Sequence, residues 1–110
     1  MSTITTHVLD TGLGLPARGV PVSLSRVTDE GSVVLATGST DDDGRITSLA
    51  PDGVGSGTYQ LWFDVAAYAA ASGQTIFFPE VTVTFAITDE RHYHVPLLLS
   101  PFAFSTYRGS

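Results

Sequence analysis

The chain contains no cysteine and no lysine among its 110 residues. The first absence excludes disulfides, thiolate metal sites and cysteine nucleophiles. The second excludes Schiff-base catalysis and a lysine clamp on phosphate. Charge is sparse too: 15% of residues are charged, and five arginines stand against 11 acids for a net charge of -6. That balance argues against nucleic acid or an anionic membrane surface as a partner. No apolar run approaches the ~20 residues of a membrane span. Met1-Ser2-Thr3-Ile4 lacks the charged start and apolar centre of a secretion signal. A cytoplasmic protein without a membrane partner is the expectation.

What is present reads as one folded domain, residues 1–110, with no linker, repeat or low-complexity stretch. At 43% hydrophobic residues it has material for a single core. Positive mean hydropathy with so little charge predicts that some apolar surface is covered in an oligomer.

Period-two alternation dominates. Thr3 to Asp10 reads as a β-branched strand, followed by a loop over Thr11 to Pro16 with two glycines. Val20, Val22 and Leu24 mark a second strand, and Asp29-Glu30-Gly31 a hairpin turn into Val33–Thr37. Asp41-Asp42-Asp43-Gly44 is a turn placing Arg45 just beyond it, before a short strand at Ile46–Leu49. Tyr59, Leu61, Phe63 and Val65 alternate with polar neighbours, as do Val81, Val83, Phe85 and Ile87. Ala66–Ser72 is the single helical candidate, stopped by Gly73. Many short strands with regular turns predict an all-β antiparallel sandwich.

The closing stretch is the most distinctive. One face of the strand from His92 to Ser100 carries Tyr93, Val95, Leu97 and Leu99, an ordinary core stripe. The other carries His92, His94, Pro96, Leu98 and Ser100, too polar for a core and too apolar for open solvent. It has the character of a binding wall or subunit contact. Pro96 lacks a ladder donor, so a local irregularity is expected there. A tail with Phe102, Phe104, Tyr107, Arg108 and Ser110 then returns beside it.

His92 and His94 share a strand face, and His7 brought alongside would complete three imidazoles able to hold zinc. No acidic or thiolate ligand is spaced to help, so acid–base chemistry is the stronger reading. Arg45 beside three aspartates reads either as a surface ion pair or as a guanidinium that recognises substrate oxygens. The aspartates lack the loop length and closing glutamate of a calcium hand. No serine sits in a glycine–serine elbow.

Several motifs in family order then carry a resemblance. They are Thr6-His7-Val8-Leu9-Asp10, Gly14-Leu15-Pro16-Ala17, Gly44-Arg45, Phe77-Phe78-Pro79-Glu80-Val81, His94-Val95-Pro96-Leu97-Leu98-Leu99-Ser100-Pro101, and Ser105-Thr106-Tyr107-Arg108-Gly109-Ser110. Together they span nearly the whole chain, and it resembles the transthyretin-related 5-hydroxyisourate hydrolases. The resemblance implies a transthyretin-like antiparallel β-sandwich of two four-stranded sheets with one short helix, assembled as a homotetramer. It implies hydrolysis of 5-hydroxyisourate at the N1–C6 amide, in urate degradation towards allantoin, with no cofactor and no metal. The implied catalytic set falls on His7, Arg45, His94 and Ser110. Tyr107, Arg108 and His92 are expected to shape the substrate pocket. Phe104 and Ala103 depart from the tyrosine and glycine common in the family. The alternative is a transthyretin-like carrier of a small hydrophobic ligand, which would lack this histidine and the Tyr-Arg-Gly-Ser end.

Overall fold

The apolar stripes foreseen by alternation become the facing surfaces of two stacked sheets. The computed structural model describes every residue from Met1 to Ser110. In chain order the elements are β1 (Ile4–Asp10), β2 (Leu15–Pro16), β3 (Pro21–Thr28), β4 (Gly31–Ser39), β5 (Arg45–Ile46), β6 (Gly57–Phe63), α1 (Val65–Ser72), β7 (Val81–Ile87), β8 (Tyr93–Ser100) and β9 (Ala103–Thr106). One sheet runs β4-β3-β6-β7; the other runs β2-β1-β8-β9, with β5 also paired to β1. Between them lies a cluster of 20 buried residues, including Val8, Val22, Leu24, Tyr59, Leu61, Phe63 and Leu97. Each large side chain so buried stabilises the fold by about 1.5–3 kcal/mol relative to exposure. No helix is long and apolar enough to cross a membrane.

The β4-β3-β6-β7 sheet is antiparallel throughout, as predicted. The other departs from the expected four antiparallel strands in two ways. β1 and β8 run parallel, with Ile4 beside Tyr93 and Asp10 beside Leu99. A parallel pair needs a long crossover, and here the whole second sheet lies between the two strands. The free edge of β1 is also shared by two short strands: β5 beside Thr6 and His7, and β2 beside Leu9 and Asp10. β2 falls within the stretch predicted to be loop.

The helix begins one residue earlier than the alternation implies, and β6 stops at Phe63 rather than running to Val65. Asp64 is the reason. Its carboxylate accepts a hydrogen bond from the Ala67 N–H at 3.0 Å, capping the first turn. Gly73 closes the helix in the left-handed conformation, as expected.

Asp10, at the end of β1, is a buried anchor. Its carboxylate accepts from Tyr68 Oη at 2.7 Å, Gln74 Nε2 at 3.0 Å and the Leu13 N–H at 3.0 Å. The helix and the loop after β1 are therefore tied to the same strand end. Burial opposes ionisation of Asp10, but these hydrogen bonds and one from Gly12 outweigh it and hold its carboxyl below the usual range. Burial, reinforced by this carboxylate, pushes Tyr68 up to about 12.

Candidate active site

The parallel register of β1 and β8 assembles the polar face. Thr5 stands beside His94 and His7 beside Pro96, while the Tyr93 N–H donates to the Thr3 carbonyl. Since alternate residues share a face, Thr3, Thr5 and His7 line up against His92, His94 and Pro96 on the outside of the sheet. Tyr93, Val95, Leu97 and Leu99 fill the inside, as the alternation predicts. The hydroxyls and imidazoles interlock: Thr3 Oγ1 lies 2.6 Å from His92 Nδ1, and Thr5 Oγ1 lies 2.9 Å from His92 Nε2 and 2.8 Å from His94 Nδ1. Nε2 of His94 has no protein partner and is not sealed from solvent.

Arg45 enters from the opposite edge of β1, where β5 pairs it with His7. The aspartate turn aims it. Asp41 Oδ1 accepts from the backbone N–H groups of both Asp43 and Arg45 at 2.9 Å. Gly44 takes φ +76°, and a Cβ there would stand 2.4 Å from the Val8 carbonyl. Only glycine lets this turn lie so close to β1. The turn is the solvated one expected, but the Arg45 guanidinium makes no ion pair with it; Asp42 pairs with Arg18 instead, at 2.9 Å. The recognition reading of Arg45 therefore gains over the ion-pair reading. The half-buried His7 points Nε2 at the Asp43 carbonyl, 2.9 Å away. A carbonyl only accepts, so His7 carries its proton on that nitrogen.

The closing segment reaches the same face through an interrupted ladder. β9 pairs with β8 from Ser100–Ala103 to Leu97–Thr106, lapses, and resumes as a single bridge between His94 and Gly109. The lapse falls opposite Pro96, which has no N–H to offer. The irregularity expected at Pro96 is thus present, although β8 itself runs on through it. The Thr106 hydroxyl donates to the Pro96 carbonyl at 2.7 Å, and the Gly109 N–H donates to the His94 carbonyl at 2.8 Å. Gly109 lies flat against the imidazole: a Cβ there would sit 2.6 Å from Cδ2 of His94.

These pieces enclose a cleft of about 160 Å³ with no hydrophobic lining residue. Arg45, His92, His94 and Ser110 line it, together with Thr5, Thr6 and Thr47. His7 does not line the cleft but adjoins Arg45 on the same sheet. Tyr107 and Arg108, expected beside the histidines, do not line it either. In the lapsed stretch they turn to a separate, mostly apolar cavity of about 190 Å³ with Val83, Phe85 and Val95, and the Arg108 guanidinium stacks 4.1 Å from the Tyr93 ring centre. Burial, followed by the positive charge of Arg45 and the neighbouring His7 and His92, holds His94 below the usual histidine range. At neutral pH it is a neutral imidazole, able to accept a proton. No three histidine or acidic side chains gather as metal ligands: His7 faces a carbonyl, and both nitrogens of His92 face threonines.

A polar cleft on the outer face of such a sandwich can be set against known proteins. Residues 4–109 match the HIUase/Transthyretin family. The chain belongs to that family. A 5-hydroxyisourate hydrolase of Mus musculus is 48% identical, covering 99% of this chain and 96% of its own. Among solved structures, Klebsiella pneumoniae 5-hydroxyisourate hydrolase superposes with a TM-score of 0.89 at 39% identity, over the full length of both chains. Sea bream transthyretin in complex with thyroxine superposes with a TM-score of 0.90 at 35% identity, over 97% of this chain and 94% of that one. Within the HIUase/Transthyretin family, then, the backbone alone does not separate hydrolase from carrier. The side chains in the cleft have to.

Proposed function

We infer that this chain is a 5-hydroxyisourate hydrolase, opening the ring of its substrate at the N1–C6 amide. The observation that carries the inference is the wholly polar cleft, in which Arg45, His94 and Ser110 meet. A small, flat, oxygen-rich heterocycle suits such a lining, whereas a hydrophobic ligand would strand its hydroxyls and guanidinium unpaired. In the proposed mechanism Arg45 binds substrate oxygens. A water gives one proton to His94 Nε2 as its oxygen bonds to C6, and the resulting oxyanion is stabilised by Arg45. Collapse breaks the C6–N1 bond, and the departing nitrogen takes the proton back from His94. Ser110 orients the water. His7, whose Nε2–H is committed to the Asp43 carbonyl, steadies the turn that carries Arg45. No step calls for a metal or cofactor.

A homotetramer is part of the same proposal. The outer face continues from the histidines to half-buried Leu98, with Ser105 opposite it on β9, and a second copy facing it would cover these and deepen the cleft. The cytoplasm is the proposed compartment, since a cysteine-free chain needs no oxidising environment.

The test is to add the purified protein to freshly generated 5-hydroxyisourate and follow its decay. Decay well beyond the spontaneous rate is expected. A rate equal to that in buffer at micromolar protein would defeat the reading, and saturable binding of a hydrophobic ligand would then establish the carrier. Light scattering should give four times the chain mass; a monomer would remove the assembly.

A further inference from the structure

The three side-chain contacts running from Thr3 to His94 form an unbroken line, and its chemistry is constrained. A threonine hydroxyl has one proton to donate. Thr5 Oγ1 touches two ring nitrogens, His92 Nε2 at 2.9 Å and His94 Nδ1 at 2.8 Å. The single hydroxyl proton can satisfy only one bare nitrogen, so with both rings neutral at least one of the two nitrogens must present N–H to the hydroxyl oxygen. The tautomers of the two histidines are thereby coupled through Thr5. At the outer end, Thr3 Oγ1 lies 2.6 Å from His92 Nδ1, and both side chains of that pair are in an exposed setting.

We propose that Thr5 and His92 are positioning residues of the active site, forming with His94 a proton relay that fixes its tautomer and carries charge out to His92. This rests on the hydrolase reading above and extends it. In the competent state His94 Nδ1–H donates to Thr5, Thr5 donates to His92 Nε2, and His92 Nδ1–H donates to Thr3. His94 Nε2 is then bare. When water gives its proton to that nitrogen, the Nδ1 proton passes to Thr5 Oγ1 and the hydroxyl proton passes to His92 Nε2. His94 is again neutral, now protonated on Nε2, and His92 is an imidazolium. The sequence runs backwards when the leaving nitrogen takes the proton from Nε2.

The environment favours such an arrangement. The side chains facing His94 are Arg45 from β5, His7 from β1, His92 just before its own strand, and Ser110 across the cleft, with no aspartate or glutamate among them. Burial and the Arg45 charge both work against a cation on His94. His92 is exposed, so water solvates the positive charge once it arrives there. An aspartate or glutamate side chain beside His94 would do the same by neutralisation; a threonine stands there instead, with a second imidazole behind it.

The experiment uses the intact protein with Thr5→Val, Thr5→Ser, His92→Gln and wild type. Valine keeps the shape of threonine without the hydroxyl, and His92 is exposed, so neither change should disturb folding. The nitrogen shifts of the His94 ring, read by NMR without substrate, should show an Nδ1–H tautomer in the wild type and in Thr5→Ser, and a shift towards Nε2–H in Thr5→Val. On 5-hydroxyisourate, kcat should drop about tenfold to a hundredfold in Thr5→Val and His92→Gln, with KM little changed. Thr5→Ser should restore most of it. Rates in mixed light and heavy water should curve in the wild type, as for several moving protons, and become linear in His92→Gln. A His94 tautomer that is the same in all four proteins overturns the relay, as does a kcat within twofold of wild type in both Thr5→Val and His92→Gln. A wild type with no activity would defeat the hydrolase reading instead, and the nitrogen shifts would still decide the coupling.

Discussion

His94 is held neutral by its surroundings, and that has a measurable sign. Its pKa lies below the usual histidine range because of burial and then Arg45. If the neutral ring is the base, kcat/KM should stay level as pH falls past the ordinary histidine midpoint near ~6.5 and decline only below it. Arg45→Gln removes the nearest fixed positive charge, so the surviving activity should decline at a higher pH than in the wild type. A pH–rate profile of both proteins checks the direction; an unchanged midpoint would mean that burial alone sets the value. A second residue-scale prediction concerns Gly109. Adding a methyl there meets Cδ2 of His94 at 2.6 Å, closer than packed atoms approach. Gly109→Ala should tilt the imidazole, with a loss of about a hundredfold in turnover, the scale of a misplaced catalytic group. The melting temperature should hardly move, because Gly109 is near the chain surface.

At the scale of elements, the strands were legible wherever alternation was clean. Val81–Ile87, Gly57–Phe63 and the inner face of Tyr93–Ser100 follow directly from it. The ends of elements were less legible, because single side chains decide them. Asp64 converts what reads as further strand into the first turn of α1. Asp64→Ala should therefore destabilise the protein by about 1 kcal/mol, the usual worth of such a cap, while leaving hydrolysis intact. Denaturant unfolding and steady-state rates on one preparation would test both halves. The site was half legible. His92, His94 and Arg45 are marked by residue type, but Thr5 is not, since its role depends on which strand lies beside β1 and in which direction. Parallel pairing leaves no local trace in sequence. Tyr107 and Arg108 line the other cavity because the ladder lapses beside Pro96, and Arg108, level with inward-facing Val95, reaches the Tyr93 ring.

For the molecule as a whole, Asp10 is the buried carboxylate through which strong acid should loosen the fold. Its folded-state pKa is depressed, so the stability it provides is fully present above the unfolded carboxylate value of about 3.9 and fades as pH falls through the lower folded value. Asp10→Asn should flatten that part of the acid-unfolding curve and lower stability at neutral pH by roughly 2 kcal/mol, the scale of lost charge-assisted hydrogen bonds. Thermal melts of both proteins across the acid range give the comparison.

The parallel pairing of β1 with β8 also dictates a timetable. Thr5 and His94 are 89 positions apart, whereas β3, β4, β6 and β7 pair with near neighbours along the chain. During refolding the β4-β3-β6-β7 sheet can close before β8 has returned to β1, leaving β1 waiting with its polar face unmatched. Long-range closure is the slow step of such topologies. The polar cleft is therefore the last part of the protein to form, and a refolding chain should gain protease resistance before it gains activity.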